Sequence, residues 1–358
     1  MRSALLLSIL VCSVTYGDSF LPALPMPSKK LNEEIAIKRI AVGSCYDQTK
    51  SEEIFFKIKE TKPDLFLFVG DNVYASDESD DPSLRSLREA YRQLAQTNSF
   101  SSLRREVPVL TIWDDHDYGL NDAGGDWTRK KAAESLYEYV WDIEADDPRA
   151  KHDGVYFTRS IGPEGRRVQM IFLDTRYFRT PLTKNNTDNF GIYLPSTDPD
   201  QNMLGEEQWH WLEQQLQKSA DLRIIVSSIM VLSESHGWES WRMMPKERQR
   251  FYDLIKNTEA KNIILVTGDT HAAAIYQTRK SLDYSLTELN SSSMNVPLTS
   301  FVKNPQRMPD GHLLGDIYFG ANFGLIDIDW EASSVKLQIR DTHGATVNKI
   351  TVKIENFN

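Results

Sequence analysis

Four apolar segments of strand length each end beside a side chain of a type that binds metal ions in proteins. The segments are IAIKRIAVG, DLFLFVG, VPVLTIW and NIILVTG, and amphipathic stretches separate them, as expected of an α/β sheet. The residues at their ends are, in chain order, Cys45, Asp71, Asp114 and Asp115, and Asp269 and His271. Open α/β sheets bind ligands at the carboxyl ends of their strands, so we expect these side chains to converge in one crevice.

Converging aspartates need a counter-charge. A buried carboxylate is costly unless it is paired with a cation or coordinates a metal. Few Lys or Arg residues lie near these aspartates in the sequence. The sequence therefore favours a bound cation, held by oxygen-rich ligands, at the ends of the strands.

A purely structural role is the alternative for each candidate. Asp71 and Tyr74 fit a polar turn after a strand, and Cys45 fits a small buried thiol. Asp115 and His116 fit a loop cap followed by a core histidine. The strand-end position that these residues share favours a role in the predicted metal site, as ligand or as catalytic group, over the structural roles.

The remaining patterns fit one layered domain. Thr49 and Glu52 form a capping-box pattern that predicts a helix ending before Pro63, and a second helix is predicted from about Ser83. Further strands are predicted at 168–174 and 223–229 with a helix at 205–216 between them, and three more strands at 323–354. No repeat or linker interrupts the pattern, so residues 35–355 are predicted to form a single domain.

Residues 1–17 have the features of a secretory signal peptide. Arg2 precedes an apolar run at 4–14 that is too short to span a bilayer, and small residues before Asp18 suit cleavage after Gly17. A frayed or buried N-terminal helix is the alternative. We therefore expect export to the periplasm or the extracellular space, with no transmembrane segment later in the chain.

The cysteines and the net charge narrow the function further. A lipoprotein signal at Cys12 is disfavoured because Val11 is bulky, and cleavage after residue 17 leaves Cys45 as the single cysteine. Cys45 is then an inert thiol, an intermolecular bridge or a metal ligand. The net charge of −10 argues against a nucleic-acid partner, whereas a small anionic substrate is compatible because bound cations reverse the local field.

Six motifs occur in a fixed order between about Ile40 and His271. They are GSC (43–45), GDNVY (70–74), WDDHD (113–117), LDTRYFR (173–179), LGEEQWHWLEQQL (204–216) and GDTH (268–271). Together they resemble the PhoD-like (alkaline phosphatase D) family of the calcineurin-like metallophosphoesterase superfamily. The resemblance implies an α/β sandwich of two mixed β-sheets flanked by helices, with a binuclear metal site at the carboxyl ends of the strands.

The resemblance assigns the first metal to four residues. Asp71 matches the aspartate that bridges the two metals, and Tyr74 matches a tyrosine that binds ferric iron in the family. Cys45 stands where other members of the superfamily carry an aspartate, and His271 matches the last ligand. A phenolate prefers a hard trivalent ion, so Fe(III) is expected at this site.

The second metal and the catalytic group follow from the same resemblance. Asp115 and Asp269 are expected to bind the second metal together with the bridging Asp71, and His116 takes the catalytic position. This all-oxygen set favours Ca²⁺, although other divalent ions also fit.

The chain departs from the family pattern at two places. The superfamily histidine expected after the strand RIIVSSIM is replaced by serines at 227–228. The first strand starts near Ile35, which is expected to leave no room for the N-terminal β-domain of larger members.

Arg176 and Arg179 follow the strand that ends at Asp174. Two roles are open for them: contact with the substrate phosphate, which we assign to Arg176, or a structural Asp–Arg pair. Asp114 and Asp117 are expected to fix the loops around the ligands rather than to bind metal.

The expected reaction is the hydrolysis of phosphate monoesters by water that two metal ions activate, with His116 stabilising the transition state or protonating the leaving oxygen. One alternative is cleavage of phosphodiesters or phospholipids by the same metals. Another is a metal-binding or phosphate-sensing protein without turnover. His116, which the resemblance assigns to chemistry alone, argues against that second alternative. The natural ester and the oligomeric state are not predicted.

Overall fold

The computed structural model describes residues 22–75, 81–187, 191–279, 282–299 and 310–354, so the predicted signal peptide lies outside the described residues. The strands are β1 (Arg39–Gly43), β2 (Leu65–Val69), β3 (Val109–Ile112), β4 (Phe157–Ile161), β5 (Val168–Leu173), β6 (Thr183–Lys184), β7 (Tyr193–Leu194), β8 (Leu222–Ser227), β9 (Ile263–Thr267), β10 (Ala273–Thr278), β11 (Leu286–Ser291), β12 (Leu313–Tyr318), β13 (Asn322–Asp329), β14 (Ser334–Asp341) and β15 (Thr346–Lys353). The α-helices are α1 (Glu53–Glu60), α2 (Arg85–Gln96), α3 (Asn98–Glu106), α4 (Asp115–Tyr118), α5 (Lys130–Val140), α6 (Gly205–Leu216) and α7 (Pro245–Asn257).

Two large mixed sheets form the centre of the fold. The first has the order β15-β14-β13-β1-β2-β3, in which β1, β2 and β3 are parallel and β13 runs antiparallel to β1. The second has the order β12-β10-β11-β9-β8-β5-β4, in which β11, β9, β8 and β5 are parallel. The predicted α/β sandwich of two mixed sheets is confirmed.

The parallel strands are apolar along their whole length because both of their faces are covered. Every residue of β2, β5, β8 and β9 is buried, the pattern that parallel strands show when helices or a second sheet pack on each face. Side chains from α1, α2, α3 and α5 join one hydrophobic core. Side chains from α6 and α7 join a second.

The first helix begins differently from the prediction. The amide and hydroxyl of Thr49 donate to Asp47 Oδ1 at 2.9 and 2.6 Å, which forms a local turn ahead of the helix. The carboxylate of Glu52 accepts from the amide and hydroxyl of Ser99 at 2.9 and 2.8 Å, in the first turn of α3. The capping box predicted for α1 is therefore wrong, because Glu52 caps a neighbouring helix instead.

Residues 22–34, which precede the predicted domain start, also pack on the first core. Ala23 and Met26 are buried there, and the amide of Met26 donates to the carbonyl of Val140 at 2.7 Å. The folded unit therefore includes residues before position 35.

Candidate active site

The residues after the parallel strands adopt a backbone conformation that is uncommon outside glycine. Cys45, Asp71, Asp269 and His271 have φ values of 55°, 49°, 70° and 52°. The left-handed region costs a residue with a Cβ about 1–2 kcal/mol, and such conformations cluster at functional sites. Four of the predicted site residues thus share one backbone feature, a left-handed conformation in the turn that follows a strand.

The two GD motifs place their glycines where the sheets meet. A Cβ on Gly268 would lie 2.6 Å from Ser44 Oγ and 2.7 Å from the carbonyl oxygen of Val69, which belong to the first sheet and its loop. Gly70 has φ +81°, and a Cβ there would lie 2.6 Å from Asp114 Cβ. Only glycine allows the strand ends to approach this closely.

Four of the predicted ligands form one cluster at the seam, the line along which the ends of the two sheets meet. Tyr74 Oη lies 2.9 Å from Asp71 Oδ2 and 3.1 Å from His271 Nε2, and Cys45 Sγ lies 3.5 Å from Asp71 Oδ2. The ligand atoms of Cys45, Asp71 and His271 all lie within 4.8 Å of one another. Thiolate, phenolate, carboxylate and imidazole atoms therefore meet at a distance that one metal ion bridges.

A second cluster adjoins the first. Asp71, Asp115 and His116 have ligand atoms within 4.8 Å of one another, and so do Asp114, Asp115 and Asp269. Asp71 belongs to both clusters, as a bridging ligand must. The His116 ring packs on the tyrosine of the first cluster with centroids 4.2 Å apart, and the amide of His116 donates to Asp71 Oδ1 at 3.3 Å.

The electrostatics of both clusters call for cations. Burial, followed by the charge of Asp115, raises the pKa of Asp71 well above its ordinary value. Burial, followed by the charge of Asp114, does the same to the pKa of Asp269. Burial also raises the pKa of the Cys45 thiol to about 12. These groups resist ionisation on their own, and a bound cation inverts that preference, so the donor set fits a metal centre.

Asp115 differs from its neighbours. Burial alone would raise its pKa, but the positive charges of His116 and Arg176 and the amide of Asp122 outweigh burial and lower the pKa of Asp115. The Asp122 amide donates to Asp115 Oδ2 at 2.8 Å. Asp115 is thus the carboxylate most readily ionised in this centre.

A cavity of about 380 Å³ opens above the clusters. Its floor consists of predicted site residues: Asp71, Asp115, His116, Asp269 and His271. Its walls include the apolar or aromatic side chains Ile192, Trp238, Tyr276 and Leu298. The centre is therefore open to a small molecule on one side.

Residues 40–337 match the PhoD-like phosphatase family. The chain belongs to this family. Alkaline phosphatase D from Bacillus subtilis (strain 168) is 24% identical over 237 residues, which cover 60% of this chain and 40% of that protein. The chain thus spans less than half the length of this curated relative. The family resemblance predicted from the six motifs is confirmed.

Two solved structures share the fold of this PhoD-like chain. The structure of PhoD aligns with a TM-score of 0.69 and 18% identity over 92% of this chain and 70% of that chain. A purple acid phosphatase from yellow lupin (Lupinus luteus) seeds aligns with a TM-score of 0.56 and 11% identity over 91% of this chain and 55% of that chain. At these identities the likeness concerns the fold alone.

Asp117 fixes the loops of the PhoD-like centre, as the sequence predicts. Its buried carboxylate accepts from the amides of Asp71 and Asp114 at 3.2 and 2.6 Å and from the Asn72 side chain at 2.5 Å. These bonds tie the loop after β2 to the loop after β3. Asp114 has two roles. It forms a reciprocal capping box with Asp117, and its carboxylate also belongs to the second cluster of possible metal ligands.

Arg176 and Arg179 lie behind the centre, fully buried. Arg176 pairs with Asp114 at 2.5 Å and with Glu239 at 2.7 Å, and Arg179 also pairs with Glu239. The carboxylate of Asp174 accepts from the backbone amides of Val155, Arg176 and Tyr177, each at 2.9 Å, so Arg176 contacts it through its main chain. This arrangement favours a structural role for both arginines, in ion pairs with Asp114 and Glu239 rather than with Asp174. Contact between Arg176 and substrate stays a prediction, and it requires Arg176 to leave both carboxylates.

The serines at 227–228 do not replace the superfamily histidine as cavity residues. Ser228 Oγ donates to Asp114 Oδ1 at 2.6 Å, and Ser227 Oγ donates to the carbonyl of Ile229 at 2.8 Å. Ser227 also accepts from the indole nitrogen of Trp241 at 3.0 Å. Ser228 therefore orients a neighbouring carboxylate.

Three site residues were missed by the sequence reasoning. Asp122 and Glu239 form a further cluster with Asp115, with ligand atoms within 4.8 Å of one another. Neither of them follows an apolar strand directly, so no sequence signal marks them. Ser292 Oγ lies 3.0 Å from Cys45 Sγ and accepts from the amide of His271 at 2.9 Å. Ser292 directly follows β11, and the strand-end rule misses it because the polar sequence of β11 does not predict a strand.

Proposed function

We propose that this chain is an exported phosphomonoesterase of the alkaline phosphatase D type that uses a binuclear metal centre. The observation that carries the proposal is the convergence of two metal-ligand clusters, joined through Asp71, on the floor of an open cavity. When bound, two cations would supply Lewis-acid activation of water and neutralise the charge that develops on the phosphoryl group.

The first cluster would hold one cation through Cys45, Asp71, Tyr74 and His271. A phenolate and a thiolate beside a carboxylate suit a hard trivalent ion with some tolerance for sulfur, so we assign Fe(III) here. The second cation would be held by Asp71, Asp115 and Asp269. Oxygen ligands alone favour Ca²⁺, and other divalent ions fit the same set.

His116 is the catalytic residue in this proposal. Its side chain lines the cavity, its ring packs on Tyr74, and its amide is tied to Asp71. These contacts fix the imidazole on the floor of the cavity, where it would donate a proton to the departing alkoxide oxygen. Such a general acid contributes about 10²–10⁴-fold to the rate.

Monoesters are proposed over diesters because the curated relative is a phosphatase. Cleavage of phosphodiesters or phospholipids remains the second hypothesis, since the same metals serve both reactions.

Export rests on the signal-peptide pattern at 1–17. Within the described ranges, no helix is long and apolar enough to cross a membrane. The expected mature protein begins at Asp18, and N-terminal sequencing of exported protein checks this. An exported protein that still carries Met1 would contradict it.

The function is tested by measuring the metal content of purified protein together with its rates on methyl phosphate and dimethyl phosphate. We expect two metals per chain, turnover of the monoester, and loss of turnover after chelation. Asp71→Asn should lose metal and activity, whereas Asp329→Asn, an exposed change in β13, should lose neither. A metal-loaded protein that cleaves neither ester would refute the proposal, and preference for the diester would establish the second hypothesis.

A further inference from the structure

The walls of the cavity differ in chemistry from its floor. Among the lining residues that the structure describes, none is Lys or Arg, and the carboxylates of Asp122 and Glu239 lie at the side of the floor. Arg176 and Arg179, which pair with Glu239 at the side of the cavity, are committed to buried ion pairs. Apart from the imidazole of His236, the described walls thus offer no basic side chain for a second phosphate or a carboxylate on the substrate.

The hydroxyl groups of the wall are already engaged. Ser233 and Ser235 line the cavity, and both donate to Asp310 Oδ2, at 2.8 and 3.2 Å. A sugar or polyol in the cavity would compete with that carboxylate for these donors. These two hydroxyl groups are therefore satisfied within the protein.

Part of the apolar wall comes from two chain segments, one around Ile192 and one around Trp238, that are hydrogen-bonded to each other. The amides of Ile192 and Tyr193 donate to the carbonyl of Gly237 at 2.9 and 3.1 Å, which places Ile192 near Trp238. A Cβ on Gly191 would lie 2.4 to 2.7 Å from the backbone of Gly237, so the two segments touch main chain to main chain. Ile192 is 45% exposed although it is a large aliphatic residue. The wall is thus a fixed apolar surface that faces the cavity.

Further contacts hold this wall in place. The carboxylate of Glu288 accepts from the amides of Val231 and Leu232, at 3.2 and 2.6 Å, at the start of the loop that carries Trp238. On the other side, the amide of Leu298 donates to the carbonyl of His271 at 2.9 Å, which ties an apolar side chain to the metal-ligand cluster. The apolar surface therefore begins beside the floor, where a leaving group would emerge.

We propose that the preferred substrate is the monophosphate of an apolar alcohol, with an alkyl or aryl group that rests on Ile192, Trp238, Tyr276 and Leu298. The inference rests on the proposed phosphomonoesterase function and specifies its substrate class. Esters that carry a second anionic group are disfavoured, because the described cavity supplies carboxylates and no Lys or Arg side chain beyond the metal centre.

The test is a series of n-alkyl phosphates from methyl to hexyl phosphate, assayed with the metal-loaded full chain. Their leaving alcohols have nearly the same acidity, so the chemical step stays constant while the apolar area grows. We expect kcat/KM to rise about two- to fourfold for each methylene that reaches the wall. Butane-1,4-diyl bisphosphate and 4-carboxybutyl phosphate should be poorer substrates than butyl phosphate.

Variants locate the effect. Ile192→Ser and Trp238→Ala should flatten the dependence on chain length, because each removes part of the wall. Phe56→Ser is the matched control: Phe56 is also 45% exposed, lies on α1, and does not line the cavity. That control should keep the full dependence. Equal flattening in the control would overturn the assignment of the wall.

Alkylphosphonates, which cannot be hydrolysed at their carbon–phosphorus bond, provide a readout that does not require turnover. Their Kd should fall with chain length by the same factor per methylene. If the esters are hydrolysed with no dependence on chain length, or if the bisphosphate is preferred, the inference on substrate class fails while the phosphomonoesterase function stands. If no ester is hydrolysed but phosphonate binding still strengthens with chain length, the apolar site stands and the proposed function fails.

Discussion

Asp115 and His116 are chain neighbours that we expect to fail in different ways. Asp115→Ala removes an anionic ligand and should cost metal affinity and activity together, with partial rescue by excess cation. His116→Ala should keep both metals and lose kcat by about two to four orders of magnitude, because it acts in the transition state. Metal content and kcat of both variants check this.

The leaving group sharpens the comparison. The loss in His116→Ala should shrink for nitrophenyl phosphate, whose leaving group needs less protonation than an alkoxide. Loss of metal from His116→Ala to the extent seen in Asp115→Ala would make His116 a ligand, and the assignment of the DDHD motif would then be wrong.

Tyr74 carries the prediction of iron. If Tyr74 binds Fe(III), concentrated protein should absorb visible light through a phenolate-to-iron charge transfer, and Tyr74→Phe should abolish or shift that band. Tyr46→Phe is a suitable control, since Tyr46 is buried, packs its ring 4.6 Å from the Phe55 ring and is not one of the predicted ligands. A colourless, iron-free and fully active enzyme would reject the assignment.

At the residue scale, the sequence predicted most of the centre because one rule covers it. Residues that directly follow parallel strands meet at one edge, and the six predicted ligands, Cys45, Asp71, Tyr74, Asp115, Asp269 and His271, do lie together there. The rule fails for Glu239, which a loop of about a dozen residues brings back from the end of β8. No local pattern encodes where such a loop returns.

At the scale of elements, close approach of the sheets gives the next prediction. Gly268→Ala should destabilise the fold by about 1–3 kcal/mol and weaken metal binding, because the new methyl group meets Ser44 and the carbonyl of Val69. Gly311→Ala is the control, since a Cβ there meets nothing within 4 Å. Chemical denaturation and metal titration measure both effects. Equal stability of the two variants would mean that the seam is looser than described.

Glu288, a buried carboxylate in β11, makes stability depend on pH. Burial raises its pKa from 4.5 to about 7 in the folded state. As the pH rises, the unfolded chain therefore loses this proton at a lower pH than the folded chain does. The contribution of Glu288 to the free energy of unfolding is most favourable below pH 4.5 and is lost as the pH rises towards 7. Glu288→Gln keeps a neutral side chain at every pH. It should be more stable than the parent at pH 8 by about 1–3 kcal/mol, and the difference should vanish near pH 4.5.

Denaturant unfolding at pH 4.5, 6 and 8 checks the effect of Glu288. Glu213→Gln, an exposed change on α6, should show no such trend. A difference between Glu288→Gln and the parent that stays constant with pH would contradict the raised pKa.

Elements with continuous apolar runs or a regular hydrophobic period were predictable, whereas polar β11 was not. The buried strands β2, β5, β8 and β9 lie where the sequence places strands, because burial on both faces leaves one unmistakable pattern. Polar β11 carries Glu288 and Asn290 inward, where hydrogen bonds satisfy them, and this hides the strand. The second helix begins at Arg85 rather than Ser83, since Leu84 takes φ +51°.

For the whole molecule, removal of metal should lower stability. Asp71, Asp114 and Asp115 are buried and half-buried Asp269 adjoins them, so without cations the four carboxylates repel one another. Chelation at pH 8 should therefore lower the unfolding temperature, and added metal should restore it. The shift should narrow towards pH 5, where raised pKa values let protons replace the cations. An unchanged unfolding temperature in verified metal-free protein would contradict this.

The position of β13 beside β1 has a consequence for how the chain is made. Ile40 is paired with Ile326, so the first sheet joins residues almost three hundred positions apart. Such non-local pairing is slow to form, because a long loop must close before any contact rewards it. During synthesis, β1 has no antiparallel partner until β13 has emerged from the ribosome. The first sheet therefore stays incomplete throughout the synthesis of the segment between β1 and β13, and the native fold cannot form before that segment has been made.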